Sequence, residues 1–146
     1  EDQINDGFAV GEYDPAAALQ LGPLEVRFRE VPHYIPSWAC DLRSDEGRRL
    51  TFGGDCGPSD ALVELARDTD LLMLEATEGT GPHLGAGFRG HLTAAEAGAL
   101  ARRAGAARLL LTHYSDLLDP ELLRGAAEAA FGGPVELAVE RARHVI

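Results

Sequence analysis

The sequence predicts an α/β protein in which helices cover a sheet. Two observations support this class. Apolar runs typical of strands occur between segments with helical periodicity, and the predicted elements follow the order β-β-β-α-β-α-β-α-β. The chain of 146 residues contains no internal repeat and no linker-like stretch. We therefore predict that residues 1–146 form a single unit.

Three strands are predicted before position 55. Residues 24–28 alternate apolar and charged side chains with the period of a half-buried strand. Residues 38–43 and 48–52 flank a four-residue turn and predict a hairpin. Upstream of Gly22 the pattern is weak, and Asp14-Pro15 indicates at most a short helical turn there.

Three helices are predicted in the second part of the chain, each with a start signal. Ser59 is a favourable N-cap, Thr93 and Glu96 match a capping box, and Asp119-Pro120 is typical of a first helical turn. Apolar runs at 70–76, 108–113 and 134–140 predict the strands that accompany these helices.

The composition restricts the class of protein and of partner. A hydrophobic content of 45% and a charged content of 25% are typical of a soluble globular protein. No apolar run approaches the roughly 18 residues that a membrane helix needs, and the acidic start predicts no signal peptide. Cys40 and Cys56 lack metal-type spacing, so we expect free thiols and a cytoplasmic location. The net charge of -11 disfavours a large RNA as partner but allows a small anionic substrate.

Polar side chains stand where four predicted strands end. These residues are His33, Asp55, Glu75 and His113, and His91 stands just before a helix N-cap. Taken singly, each has an ordinary explanation as a loop or capping residue. Ligands collect beyond the carboxyl ends of strands in α/β sheets, so the repeated placement favours one shared site. Imidazole and carboxylate groups are ligands of zinc-like metals.

Five motifs in order resemble one known family. They are VPHYIP, FGGDCGP, DLLMLEAT, GHLTAAEAG and LLLTHYS. Together they resemble the C-terminal half of metallo-β-lactamase-fold hydrolases, in the branch of the tRNA 3′-processing endonuclease RNase Z, over about residues 24–139. The resemblance implies an αβ/βα sandwich in which this half contributes a mixed sheet with helices on its outer face.

The resemblance also implies roles for the polar residues. His33 and His113 each complete the ligand set of one of two divalent metal ions, most simply zinc, with manganese or iron as alternatives. Asp55 bridges both ions, and a metal-bridged water serves as the nucleophile. Glu75 orients His91, and His91 protonates the departing oxygen.

The sequence departs from the family pattern at two points. Leu74 stands where the family often has another histidine, and no His-x-His-x-Asp-His motif is found. Because the only methionine is Met73, we expect a piece of a longer product. The complete protein is then expected to be a metal-dependent hydrolase, whereas this chain alone is expected to be inactive. A missing N-terminal half or another copy of the chain should cover its apolar sheet face.

The favoured function is a phosphodiesterase of the RNase Z type with a small anionic substrate. Two alternatives stay open. One is a thioester or lactam hydrolase of the same fold, and the other is a non-catalytic half-domain that acts as an interaction or metal-binding fragment. His83, in a glycine-rich loop, could touch substrate, but a solvated loop histidine is the simpler interpretation.

Overall fold

Seven strands form one mixed sheet whose spatial order follows the chain. The computed structural model describes residue 7, residues 11–81 and residues 87–146. The strands are β1 Leu19–Leu21, β2 Leu24–Val31, β3 Ser37–Ser44, β4 Arg49–Phe52, β5 Leu71–Glu75, β6 Leu109–Thr112 and β7 Val135–Leu137. β1 to β4 pair antiparallel, and β4 to β7 pair parallel. The predicted α/β class is confirmed.

The three predicted helices are present at their start signals. They are α1 Asp60–Leu65, α2 Ala94–Ala104 and α3 Pro120–Phe131. Ser59 and Asp119 accept backbone N–H bonds as N-caps, and Thr93 with Glu96 forms the full capping box. Satisfying these otherwise unpaired donors stabilises each helix start.

The N-terminal region contains a strand that the sequence analysis did not predict. Residues 15–17 form a turn, as expected, but β1 follows and pairs with β2 through Leu19 and Val26. Four strands therefore precede α1, rather than three. The short β1 is an edge strand joined to β2 through Gly22, whose φ is +57°. Its conformation depends on the neighbouring strand, since three residues carry little pattern of their own.

One face of the sheet packs against the helices and forms the core. Its buried side chains include Ala39, Leu72, Leu74, Leu109 and Leu111. The α2 and α3 helices also contact each other closely, because a Cβ at Gly98 would lie 2.3 Å from the carbonyl oxygen of Ala127.

The opposite face carries apolar side chains that no described helix covers. The strand register aligns Phe28, Cys40, Phe52 and Met73 in one row across β2 to β5, and all four are half-buried. The ring of Tyr13 stacks on Phe28 at a centroid distance of 4.2 Å. We call this the uncovered face. Among the described residues, no helix is long and apolar enough to cross a lipid bilayer.

Candidate metal centre

Strand direction brings the polar residues to one edge of the sheet. β2 and β4 both run antiparallel to β3, and β5 and β6 run parallel to β4. The ends of β2, β4, β5 and β6 therefore point the same way. His33, Asp55 and His113 follow three of these strands, Glu75 ends the fourth, and the loop before α2 adds His91.

Asp55 and His113 are in direct contact. Oδ1 of Asp55 lies 2.8 Å from Nδ1 of His113, and the two side chains are 42% and 54% exposed. His113 has a φ of +47°, a conformation that histidine adopts more readily than most side chains. The Thr77 hydroxyl donates a hydrogen bond of 2.9 Å to the His113 carbonyl and stabilises this turn. The contact leaves both side chains accessible to a ligand.

The two glycines before Asp55 are required by the local geometry. A Cβ at Gly53 would lie 2.6 Å from Cδ2 of Leu74, and Gly54 has a φ of +64°. Leu74, at the position where the family often has a histidine, is fully buried on the helix-bearing face. It packs under the Gly53-Gly54 turn from which Asp55 projects.

Glu75 is a buried carboxylate with four donors around it. Its side chain is 1% exposed. Oε1 accepts the N–H of Cys56 at 2.8 Å and lies 2.8 Å from Nδ1 of His91. Oε2 accepts the N–H groups of Thr77 and Leu92 at 3.3 Å each. These bonds offset the cost of burying the carboxylate and fix its position.

The contact with Glu75 orients the His91 ring. A carboxylate can only accept, so Nδ1 of His91 carries the hydrogen and Nε2 is the nitrogen left for other partners. His33 has the same arrangement, since its Nδ1 lies 2.8 Å from the Gly90 carbonyl oxygen. Its Nε2 lone pair is thereby available to a metal.

The three imidazole rings lie side by side. The His91 ring centroid is 4.9 Å from that of His33 and 6.0 Å from that of His113. The backbone packs tightly around them, because a Cβ at Gly90 would lie 2.9 Å from Nδ1 of His33, and a Cβ at Gly57 would lie 2.1 Å from the Arg89 carbonyl oxygen.

Arg89 clamps the segment that carries His91, and sequence reasoning missed it. Its guanidinium pairs with Glu96 at 2.5 and 2.6 Å and with Glu78 at 3.2 Å, and it donates to the His91 carbonyl at 3.2 Å. The hydrogen bond to Glu96 raises the pKa of Arg89. Burial alone would raise the pKa of Glu96, but hydrogen bonds from Arg89 and Thr93 outweigh it, so the pKa is lowered. No motif marked Arg89, because an arginine before a Gly-His pair has no pattern of its own.

The donor groups fit a divalent metal. Glu75, His91 and His113 offer ligand atoms within 4.8 Å of one another. Asp55 contacts His113, and His33 contacts His91, so all five predicted site residues meet at this edge. Because Glu75 already holds four donors, it is better suited to positioning His91 than to binding metal. The predicted ligand set of His33, Asp55 and His113 stays a prediction.

Cys56 is buried and is not among the described residues whose ligand atoms cluster at this edge. Its thiol is fully buried, and burial together with the charges of Glu75 and Asp55 raises its pKa to about 12. Both cysteines are free. His83 lies outside the described residues.

Comparison with known proteins agrees with the family that the five motifs resemble. The family model described as "Beta-lactamase superfamily domain" matches residues 2–114. An uncharacterized protein of Mycobacterium tuberculosis is 35% identical over 138 residues, which are 94% of this chain and 50% of the relative. A ribonuclease Z of Salinispora arenicola is 39% identical over 136 residues, which are 92% of this chain and 40% of the relative.

A solved structure shares the fold. The metallo-beta-lactamase fold protein YhfI of Bacillus subtilis superposes with a TM-score of 0.79 at 28% identity, covering 86% of this chain and 51% of that one. The chain thus spans 50%, 40% and 51% of the lengths of these three proteins, or about half at most. The predicted mixed sheet with helices on its outer face, and the resemblance to the RNase Z branch, are confirmed.

Proposed function

The chain belongs to the beta-lactamase superfamily, and on this premise we propose that it carries part of the active site of a metal-dependent phosphodiesterase. The relative named ribonuclease Z supports hydrolysis as the reaction class. The contact between Glu75 and His91 supports a phosphodiesterase in particular. It places an imidazole that has a buried carboxylate partner beside metal-type donors.

We assign two divalent ions to the complete site, zinc first, with manganese and iron as alternatives. His33 and His113 would each hold one ion, and Asp55 would touch both. When bound, such ions lower the pKa of water and stabilise charge on phosphoryl oxygens. The chain's contribution is to hold these donors in place through the Gly90 carbonyl and the Gly53-Gly54 turn.

His91 is proposed as the general acid. Its side chain is 21% exposed, so it is partly shielded from water yet reachable by a substrate. With Nδ1 held by Glu75, Nε2 is free to give its proton to the departing oxygen. The buried carboxylate keeps the ring from rotating and so holds Nε2 in position for the transfer.

A phosphodiester needs this acid more than a thioester does. An alkoxide is a poor leaving group unless it is protonated as it departs, whereas a thiolate, with a thiol pKa of about 8.5, leaves readily without help. The Glu75–His91 contact therefore favours the phosphodiester over the thioester. The thioester and lactam hydrolases remain the second candidates, because the metal donors serve all three reactions.

The substrate and the partner follow from charge and exposed surface. A net charge of -11 makes a large RNA a less suitable substrate than a small anion. The local charge of the metal ions would attract such an anion. The uncovered face, with its row from Phe28 to Met73, fits a second sheet. We propose that an N-terminal half, like the additional sequence of the relatives, packs there and supplies the remaining ligands. The alternative partner is a second copy of the chain, and the mass in solution, measured as described below, distinguishes the two.

The test uses the complete, metal-loaded protein and two phosphodiesters that differ in leaving group. One is bis(p-nitrophenyl) phosphate, whose phenolate leaves easily, and the other is a dinucleoside monophosphate with an alkoxide leaving group. His91→Ala should lower kcat about 10²- to 10⁴-fold for the alkoxide substrate and much less for the phenolate substrate. Metal content should stay unchanged, whereas Asp55→Ala should lose metal.

His144→Ala is the matched control. His144 also contacts a carboxylate, Oε2 of Glu136, at 2.9 Å, and it has the same 21% exposure as His91. It should leave both rates unchanged. Loss of metal with His91→Ala but not with Asp55→Ala would reverse the assigned roles. A metal-loaded protein that cleaves neither diester but cleaves a thioester would select the second candidate, and one without any hydrolysis would favour a binding fragment.

The first measurement is the metal content and the mass in solution of the 146-residue chain itself. Two ions per chain in a self-associated species would mean that another copy completes the site. One ion or none would mean that the ligands of a different half are needed.

A further inference from the structure

A cavity lined by arginines lies on the helix-bearing face of the sheet. It has a volume of about 610 Å³, and four arginines line it, namely Arg27, Arg29, Arg43 and Arg49. Residues 15–18 form one wall, and Glu64 and Leu65 of α1 form another. Four of the 13 arginines of the chain thus gather around one cavity in a protein with a net charge of -11.

Arg49 uses its guanidinium donors on groups of the protein, and its charge is paired with that of Asp41. Its guanidinium bonds Asp41 at 3.0 and 3.3 Å and donates to the carbonyls of Arg67 at 2.6 Å and Leu65 at 3.0 Å. Asp41 is 4% exposed and also accepts from the Thr51 hydroxyl at 2.7 Å. The charge of this carboxylate is balanced by Arg49, so it does not neutralise the other arginines.

The other three arginines keep unused donors. Arg27 uses its Nε on the exposed Glu25, and within the described parts of the chain Arg29 and Arg43 make no hydrogen bond or ion pair. Arg27 and Arg29 are alternate residues of β2 and share one face, roughly 7 Å apart. Arg43 is on the adjacent β3, directly opposite Glu25 in the register. Apart from Asp41, which pairs with Arg49, Glu64 is the one carboxylate among the lining residues.

This arrangement is suited to an anion. Neighbouring guanidinium groups repel one another, and a multivalent anion between them removes that repulsion. Guanidinium forks match the oxygens of a phosphate group in pairs, which makes arginine the preferred residue for such recognition. The volume is within the range of small-molecule sites and exceeds that of a single phosphate ion.

We propose that the cavity lined by Arg27, Arg29 and Arg43 binds a phosphate-class anion of diphosphate or phosphate-ester size. The site is separate from the metal centre. Arg49 begins β4, whose other end leads to Asp55, so the cavity lies toward the opposite end of this strand. It opens on the helix-bearing face, so a sheet packed on the uncovered face would leave it accessible.

The test is calorimetric titration of the metal-free chain with inorganic pyrophosphate, with orthophosphate and a nucleoside monophosphate as further probes at constant ionic strength. Metal is removed beforehand so that the metal centre does not compete for phosphate. Saturable binding of pyrophosphate is expected. Arg29→Ser and Arg43→Ser should each weaken it about tenfold, because each removes charge-assisted hydrogen bonds. A greater affinity for the nucleotide would identify an ester, rather than free diphosphate, as the ligand class.

Arg102→Ser is the matched control. Arg102 is exposed on α2, away from the cavity lining, so its loss changes the net charge equally. It should leave the affinity unchanged. Absence of saturable binding would overturn the proposal, and so would an equal loss of affinity in the control or full affinity in the Arg29→Ser, Arg43→Ser double variant. Circular dichroism verifies that each variant is folded.

Discussion

Removal of the Glu75 carboxylate should cost a large part of the stability of this chain. Glu75→Ala leaves four buried or half-buried donors without their acceptor, which are the N–H groups of Cys56, Thr77 and Leu92 and Nδ1 of His91. An unsatisfied buried donor costs about 1–3 kcal/mol. The two bonds of 2.8 Å dominate, and the two of 3.3 Å add less.

The expected loss is about 3–6 kcal/mol, a large fraction of the roughly 5–15 kcal/mol that stabilises a typical domain. Glu75→Gln should cost less, about 1–3 kcal/mol, because the amide oxygen still accepts two bonds while the NH₂ group faces donors. The free energy of unfolding comes from urea titrations followed by circular dichroism.

The energetic coupling between Glu75 and His91 also tests whether the Glu75 carboxylate organises the site. In a double-mutant cycle, His91→Ala should cost clearly less in the Glu75→Ala background than in the wild type, since their contact is already absent. Glu128→Ala, at an exposed position of α3, serves as the control and should change stability by less than about 0.5 kcal/mol. A loss below about 1 kcal/mol for Glu75→Ala would refute the view that this carboxylate organises the site.

Two further predictions concern the segment that carries His91. Gly57→Ala should destabilise by at least about 2 kcal/mol in urea unfolding, because its Cβ would lie 2.1 Å from a backbone oxygen that cannot move aside. Gly125→Ala in α3, with open space around the new Cβ, should be neutral or stabilising, and equal effects would contradict the packing argument. For Glu96, whose pKa is lowered, the charge contributes stability above its unfolded pKa, and this is lost as pH falls through the folded pKa. The free energy of unfolding of the wild type should therefore exceed that of Glu96→Gln at about pH 7. If this difference persisted undiminished well below about pH 4, the ion pair with Arg89 would be excluded as its source.

The fold was predictable from the sequence where local signals are strong. The N-caps Ser59, Thr93 and Asp119 marked the three helix starts, since capping depends on residues adjacent in the chain. The strand β1 was not predictable, because its pairing with β2 depends on tertiary contact rather than on three residues of pattern.

The candidate site was predictable in its membership but not in its contacts. The repeated placement of polar residues at strand ends indicated that His33, Asp55, Glu75 and His113 would meet. The clamp by Arg89 was missed because Arg89 lies in a loop, outside any regular helix or strand, so no periodic pattern reveals its partners His91, Glu96 and Glu78.

The packing around Glu75 bears on how much of the metal centre this chain organises by itself. A metal site without support must be ordered at the expense of metal affinity. Here Glu75 and the Gly90 carbonyl hold the His91 and His33 rings through protein contacts alone. Asp55 is oriented by the glycine turn and by the Ser37 hydroxyl, which donates to its carbonyl oxygen at 3.1 Å.

The ordering of these groups should therefore require little free energy from metal binding. What the described chain does not supply is the number of ligands, because in the proposed site its three predicted donors would be shared between two ions. Weak metal binding by the isolated chain would then reflect too few donors rather than disordered ones. A partner that adds ligands should raise the affinity without rearranging His33, Asp55 or His91, and comparison of histidine NMR spectra with and without that partner would detect such a rearrangement if it occurred.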